Sequence, residues 1–456
     1  MKLVKLVLVG AIGTFALAPR AYAFHSGGVA ECEGCHSMHN SLEGAPNVTG
    51  KPTQFVGARY LLKAQDQSGT CLNCHNAPDT APSSYHVSTD ESKIGPGLPP
   101  IQQTPGGDFA WLKVTRSFFV RGTLTTDHGE RRGHNIVAQD FGYLPDSTHA
   151  VGPGGTYPAN KLACISCHDP HGRYRRDAAG NIGTPNGLGS GWPGGPATID
   201  VKLPIFNSGS YDSSADPIAG VAAVGVYRLL AGKGYSPMSM SGANAFTTDA
   251  PAAVAPATYN RTESSTITRV AYGKGMSEWC GNCHGNIHLD SYTSGADNLR
   301  HPAGNDAKLT PAVIANYNSY VTSGILTGTR DTAYSTLAPF ELGTADYAVL
   351  KPLAKNDGSG NSKQGPDPAG TANVMCLSCH RAHASAFESM TRFFRGNEFG
   401  TVADAANQAK YADDVTDGRV SRGLSSYEQQ IAYYGRPATA FGPYARNYCN
   451  KCHAKD

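Results

Sequence analysis

Six times in this chain two cysteines stand three positions apart with a histidine directly after the second: Cys32-Cys35-His36, Cys71-Cys74-His75, Cys164-Cys167-His168, Cys280-Cys283-His284, Cys376-Cys379-His380 and Cys449-Cys452-His453. The six pairs use all 12 cysteines, so none is left for a disulfide. In c-type attachment the two thiols form thioethers to the haem vinyls and the adjacent imidazole takes the proximal position on iron, which needs these three residue types at this spacing. Competing readings fit poorly. A zinc ribbon needs no invariant His after the second Cys, a thioredoxin-like pair would occur once in a βαβ setting, and disulfides would not impose a two-residue gap six times. Six covalently attached c-type haems, with their irons, are therefore expected as cofactors.

What else the chain can build follows from its glycine and proline. Together they are 82 of 456 residues, well above the roughly 12% usual in globular proteins, which argues against long helices and continuous sheets. The expected fold is mostly irregular coil with short helices and few short strands, organised around the haems, which supply apolar surface that packed elements would otherwise provide. Thr310-Pro311 before an apolar run ending near Gly324 predicts a capped helix, and Ser425 with Glu428 predicts a capping box. Trp111 to Arg121 and Ile199 to Ile205 read as weak strands. The 111 residues between the third and fourth motifs, rich in Gly, Ser, Pro and Ala, are expected to wrap haem. The 22 tyrosines are expected to bury their rings and keep their hydroxyls hydrogen-bonded, and Lys451, Lys455 and Asp456 to be solvated charges near the sixth haem.

Residues 1–23 read as a secretory signal peptide: two lysines by position 5, an apolar run from Leu6 to Ala18, and a small-residue cleavage site at Ala21-Tyr22-Ala23. That run is too short to span a bilayer of about 30 Å, so no transmembrane segment is expected, and Phe24 after the cleavage site is not a lipidated Cys. The predicted destination is outside the inner membrane, reached through the periplasm. Losing Lys2, Lys5 and Arg20 changes the formal charge from +2 to −1, before twelve haem propionates are counted. A nucleic-acid partner held by phosphate neutralisation is excluded.

The sixth ligand of each iron separates small-molecule chemistry from electron transfer. Sixteen histidines less six proximal ones leave ten, enough for every haem to be bis-His. Three motifs continue to a second histidine, giving His36/His39, His168/His171 and His380/His383; each is preceded by an isolated His (His25, His134, His301) and followed by a plain motif. The pattern predicts one hexahaem domain, 24–456, built from three two-haem modules at about 24–125, 126–295 and 296–456. If each doubled motif sends its second His back one module, His171 ligates haem 1 and His383 haem 3, while His39 has no haem behind it and haem 5 has no donor. A neighbouring molecule resolves both deficits, with His39 crossing to haem 5 of the next subunit. If each isolated His serves the even haem of its own module, His25 takes haem 2, His134 haem 4 and His301 haem 6. His86, His128, His149 and His288 are then spare, with His288 and His86 the reserves.

FHSGGVAECEGCHSMHN from Phe24 to Asn40, PGGTYPAN at 153–160, CHDPHGRYRR at 167–176, PAAVAPATYNRTE at 251–263, RVAYGKGMSEWCGNCH at 269–284, LRHPAGN at 299–305, CLSCHRAHAS at 376–385 and CNKCHAKD at 449–456 resemble the hexahaem outer-surface c-type cytochromes of metal-reducing bacteria. The resemblance runs from Phe24 to the C-terminus. It implies a loop-rich fold around a continuous haem chain, bis-His ligation throughout, secretion to the outer cell surface and head-to-tail polymerisation into conductive extracellular filaments. It also implies that the counterpart of His39 crosses to haem 5 of the adjacent subunit. Pro352-Leu353 stands where the family has a His, so no ligand comes from there, and His128 and His149 have no counterparts.

The leading functional expectation is a polymerised electron conduit without a substrate site, fed by upstream periplasmic or outer-membrane cytochromes and delivering electrons to extracellular acceptors such as metal oxides. The alternatives are a monomeric periplasmic or secreted electron shuttle and a multihaem reductase. A reductase needs an iron with an exchangeable site, often signalled by a motif ending in a residue other than His. All six motifs here end in His.

Overall fold

The structure, a computed structural model, describes residues 32–37, 41–42, 45–46, 61–77, 86–90, 100, 104–120, 122–170, 175–176, 182–183, 230–232, 235–237, 245–248, 250–254, 270–287, 302–330, 338–354, 365–367, 369–414 and 424–453. The α-helices are short: α1 (Cys32–Cys35), α2 (Gln67–His75), α3 (Met276–Cys280), α4 (Pro311–Ser319), α5 (Tyr347–Leu350), α6 (Cys376–Cys379), α7 (Ser426–Ala432) and α8 (Asn450–His453). Strands occur only in two-stranded ladders: β1 (Ser41–Leu42) with β2 (Ala45–Pro46), β3 (Asn76–Ala77) with β4 (Ser88–Thr89), β5 (Arg116–Val120) with β6 (Thr123–Asp127), β7 (Arg175–Arg176) with β8 (Ile182–Gly183), β9 (Ala252–Val254) with β10 (Ala271–Lys274), and β11 (Thr401–Ala403) with β12 (Ala409–Tyr411). No described helix exceeds nine residues and no described strand five, as the glycine and proline content led us to expect. None of these helices is long and apolar enough to cross a membrane.

Local chemistry accounts for the two capped helices. Thr310 turns its hydroxyl to the Val313 amide at 3.3 Å, with Pro311 at the first helical position, and α4 ends where Tyr320 goes extended, four residues before Gly324. At α7 the Ser425 hydroxyl accepts from the Glu428 amide while Glu428 accepts from the Ser425 amide at 2.9 Å. The same carboxylate accepts from Arg116 at 2.8 Å, fastening β5 to α7. The stretch expected as one strand from Trp111 is two elements. Phe109–Lys113 is a 3₁₀ turn capped by the Asp108 carboxylate, and the ladder starts at Arg116. The Ile199–Ile205 candidate lies outside the described residues.

Buried apolar side chains gather into separate clusters. The largest joins Trp111, Tyr317, Phe387, Tyr433, Phe441 and Tyr448; others lie around Leu72 and Phe109, around Tyr272 and Met276, and around Leu309 and Ile314. A chain that encloses several large apolar groups divides its core in this way, because each group replaces side-chain packing locally.

Candidate haem-binding site

Each placed motif closes one tight turn. The His amide reaches back to the carbonyl of the first Cys in Cys164–His168 (2.9 Å), Cys280–His284 (3.0 Å), Cys376–His380 (3.0 Å) and Cys449–His453 (3.2 Å). The turn brings both thiols and the imidazole to one patch, as double thioether attachment requires. None of the described cysteines is in a disulfide.

The doubled motifs share a further device that sequence reading missed. Their proximal histidines sit in isolated antiparallel bridges, His36 with Leu62, His168 with Leu230 and His380 with Thr391. In each, the residue after the bridge partner donates its amide to the second Cys carbonyl: Lys63 to Cys35 (3.1 Å), Ala231 to Cys167 (2.9 Å) and Arg392 to Cys379 (2.8 Å). The plain motifs do something different. The Ser68 hydroxyl, three residues before Cys71, accepts from the Cys164 amide, and Ser277, three residues before Cys280, accepts from the Cys376 amide, both at 3.1 Å. The Cys71 thiol lies beside that of Cys164, and the Cys280 thiol beside that of Cys376. A shared S-x-x-C at Ser68 and Ser277 was the available signal; the last motif has Arg446 there instead.

These contacts order the sites. Cys71 lies within electrostatic reach of Cys35 as well as Cys164, Cys167 of Cys283, and Cys379 of Cys449 and Cys452. The attachment turns thus follow one another through the molecule in sequence order.

Two pairs of imidazoles face each other at the spacing an iron needs. His134 and His284 have ring centres 6.0 Å apart, and His168 and His383 6.4 Å. Two metal–nitrogen bonds of about 2 Å, with about 1 Å from each nitrogen to its ring centre, span roughly 6 Å. His284 and His134 each turn Nδ1 to a backbone carbonyl, Pro153 at 2.7 Å and Ala382 at 2.6 Å, leaving Nε2 for a metal. These residues therefore fit a bis-His haem, and they are the pairs expected from the module arithmetic for haems 4 and 3.

A crossover positions His383. The segment following His380 threads between two others: the His383 amide donates to the Gly106 carbonyl (2.7 Å), the His134 amide to the His383 carbonyl (2.9 Å), and the Ser385 amide to the Arg132 carbonyl (3.0 Å). Only glycine fits on either side. A Cβ on Gly107, at φ +99°, would lie 1.8 Å from the Ala384 carbonyl oxygen, and one on Gly133 2.3 Å from that of His383. Phe109 stacks on the His383 ring at 4.7 Å.

Burial keeps these imidazoles neutral. The fold's interior lowers His383 to about 3, with the nearby His168, His134 and His75 rings adding to the effect and the Gly107 backbone opposing it. It lowers His134 to about 4, helped by His284 and opposed by the Ala382 carbonyl. Both rings keep some accessible area. The neutral imidazole is the form that ligates.

His128 and His149 are exposed, the latter bonded to Asp146, and His86 is buried with Nε2 turned toward the Asp108 carboxylate at 3.7 Å. Lys451 corrects the sequence reading: it is fully buried, not solvated, its ammonium 4.4 Å from the Tyr317 ring centre and donating to the Tyr320 carbonyl at 3.3 Å. The long apolar stem makes such burial possible. His25, His39, His171, His288, His301, Lys455, Asp456 and the Cys32 side chain lie outside the described residues.

No family model matches the chain. It is 55% identical over 449 residues, 98% of each chain, to the C-type cytochrome OmcS of Geobacter sulfurreducens. It is also similar to two solved structures. An outer membrane cytochrome S filament from that organism superposes with a TM-score of 0.79 at 54% identity, and OmcS nanowires imaged by cryo-electron microscopy with 0.80 at 56%; each comparison covers 95% of this chain and 100% of the other.

Proposed function

The chain belongs to the OmcS family of c-type cytochromes, and on that premise we propose that it carries electrons out of the cell through six bis-His haems, polymerised head to tail into a conductive filament. The observation that carries the reading is the two pairs of facing imidazoles, His134 with His284 at 6.0 Å and His168 with His383 at 6.4 Å. Iron supplies a one-electron couple at each site; the chain's residues hold, space and insulate those sites. The 12 motif cysteines anchor the six haems. Beyond the two facing pairs, His36 takes His171, His75 takes His25, His453 takes His301, and His380 takes the His39 of an adjacent copy.

The contacts from Ser68 to Cys164 and from Ser277 to Cys376 cross the proposed module boundaries, which favours one domain of interlocked modules. They also hold neighbouring attachment sites at fixed separation, as rapid electron exchange requires. Secretion through the periplasm, supply by upstream periplasmic or outer-membrane cytochromes, and delivery to acceptors such as metal oxides complete the proposal; no substrate site is invoked. The test is electron microscopy of material sheared from cells, with haem counted per chain as the pyridine haemochrome. Filaments at six haems per chain are expected. Discrete particles would favour the soluble shuttle, and fewer haems would refute the site assignment.

A further inference from the structure

The three bridges that pin the doubled motifs are alike in backbone and unlike in charge. The residue that closes the bridge is Lys63 at the first motif, Ala231 at the third and Arg392 at the fifth. We propose that Arg392 sets the redox potential of the haem held by Cys376, Cys379 and His380 above that of its counterpart held by Cys164, Cys167 and His168. The proposal rests on haem attachment at both motifs, as put forward above.

Arg392 is fixed as well as near. Its side chain is only 2% exposed, and its Nε donates to the Leu377 carbonyl at 2.6 Å and the His380 carbonyl at 3.1 Å. The positive charge is thus held one hydrogen bond from the backbone of the proximal ligand. A guanidinium keeps its charge at any working pH, and a charge inside the fold acts more strongly than one in water. Reduction adds one electron at the iron, forms and breaks no bond and needs no proton, so the ferric site carries one positive charge more than the ferrous. A fixed neighbouring cation therefore favours the reduced form. Arg395 adds a second cation beside His380, and the nearby Glu388 is 56% exposed and paired with Arg131.

Ala231 supplies the same backbone bond at the third motif with an uncharged side chain. The consequence for conduction is an uneven path, with an electron resting more favourably at the haem whose distal ligand is proposed to come from the next subunit.

The experiment is optical redox potentiometry on the full-length, haem-loaded protein, comparing Arg392→Gln and Arg392→Lys with the wild type, with haem content and spin state read on the same samples. In Arg392→Gln one of the six one-electron components should move to lower potential by about tenfold in its reduced-to-oxidised ratio, about 59 mV; Arg392→Lys, which keeps the charge, should stay near the wild type. If the Gln variant does not accumulate, Arg392→Met keeps the apolar stem and should give the same shift. An unshifted curve with six low-spin haems would overturn the Arg392 assignment alone. So would an equal shift in the Lys variant, which would assign the effect to the hydrogen bonds and not the charge. Fewer than six haems in the wild type would instead refute the attachment reading beneath it.

Discussion

Replacing His383 with Ala separates a distal ligand from a buried structural histidine. Its ring faces His168 at 6.4 Å and stacks on Phe109 at 4.7 Å, although it follows a different motif, Cys376-Cys379-His380. Loss of the ring removes one axial ligand from one iron, so about one sixth of the iron should become high-spin when oxidised and should bind carbon monoxide when reduced. The packing loss adds about 2 kcal/mol of destabilisation, the order expected for truncating an enclosed side chain, and the hydrogen bonds of the crossover are unaffected because they are made by backbone. Electron paramagnetic resonance, quantified against total haem, measures the fraction. Millimolar imidazole should reverse the change, since the space left has the shape of the missing ring. His149→Ala, at an exposed position, should leave the spectrum unchanged. A folded His383→Ala protein that stays wholly low-spin would refute the pairing, and with it the rule that each doubled motif serves the module behind it.

His39→Ala should yield monomers that keep six haems but leave the haem at His380 open to added imidazole; normal filaments in electron micrographs would exclude the intermolecular ligand. Replacing both Cys164 and Cys167 with Ser should leave a chain degraded in the periplasm, because loops of this composition form no core unaided, whereas a stable, protease-resistant five-haem product on a haem-stained gel would contradict that dependence. Glu341 is fully buried and accepts from the Met276 amide and the Asn373 side chain, both at 2.8 Å, at the start of α3. Burial raises its pKa more than these bonds lower it, so the protonated form is favoured in the folded state, and the associated stability is present below the ordinary carboxylate pKa and lost as pH rises through the raised one. The melting temperature of Glu341→Gln, taken relative to wild type, should therefore climb across that interval as pH is raised, and a constant difference would show that Glu341 ionises in the fold as it does in water.

The sequence by itself determined the cofactor chemistry, the number of attachment motifs and the threefold arrangement of the histidines, because covalent attachment demands fixed residue types at fixed short spacing and leaves a pattern no fold can alter. It also determined the character of the backbone, since 82 glycines and prolines leave little room for long elements, and the two helix starts at Thr310 and Ser425, whose caps are local. Only the tertiary structure decided which groups meet across the chain. That Cys164 caps on Ser68 and Cys376 on Ser277, that His383 reaches His168 by threading between Gly107 and Gly133, and that Lys451 lies buried against Tyr317 and Tyr320 are contacts between residues far apart in sequence. Their free energy comes from desolvation and from hydrogen bonds closed at a distance. A lysine reads the same in a string of letters whether water or two tyrosine rings surround it, and only the packing distinguishes them.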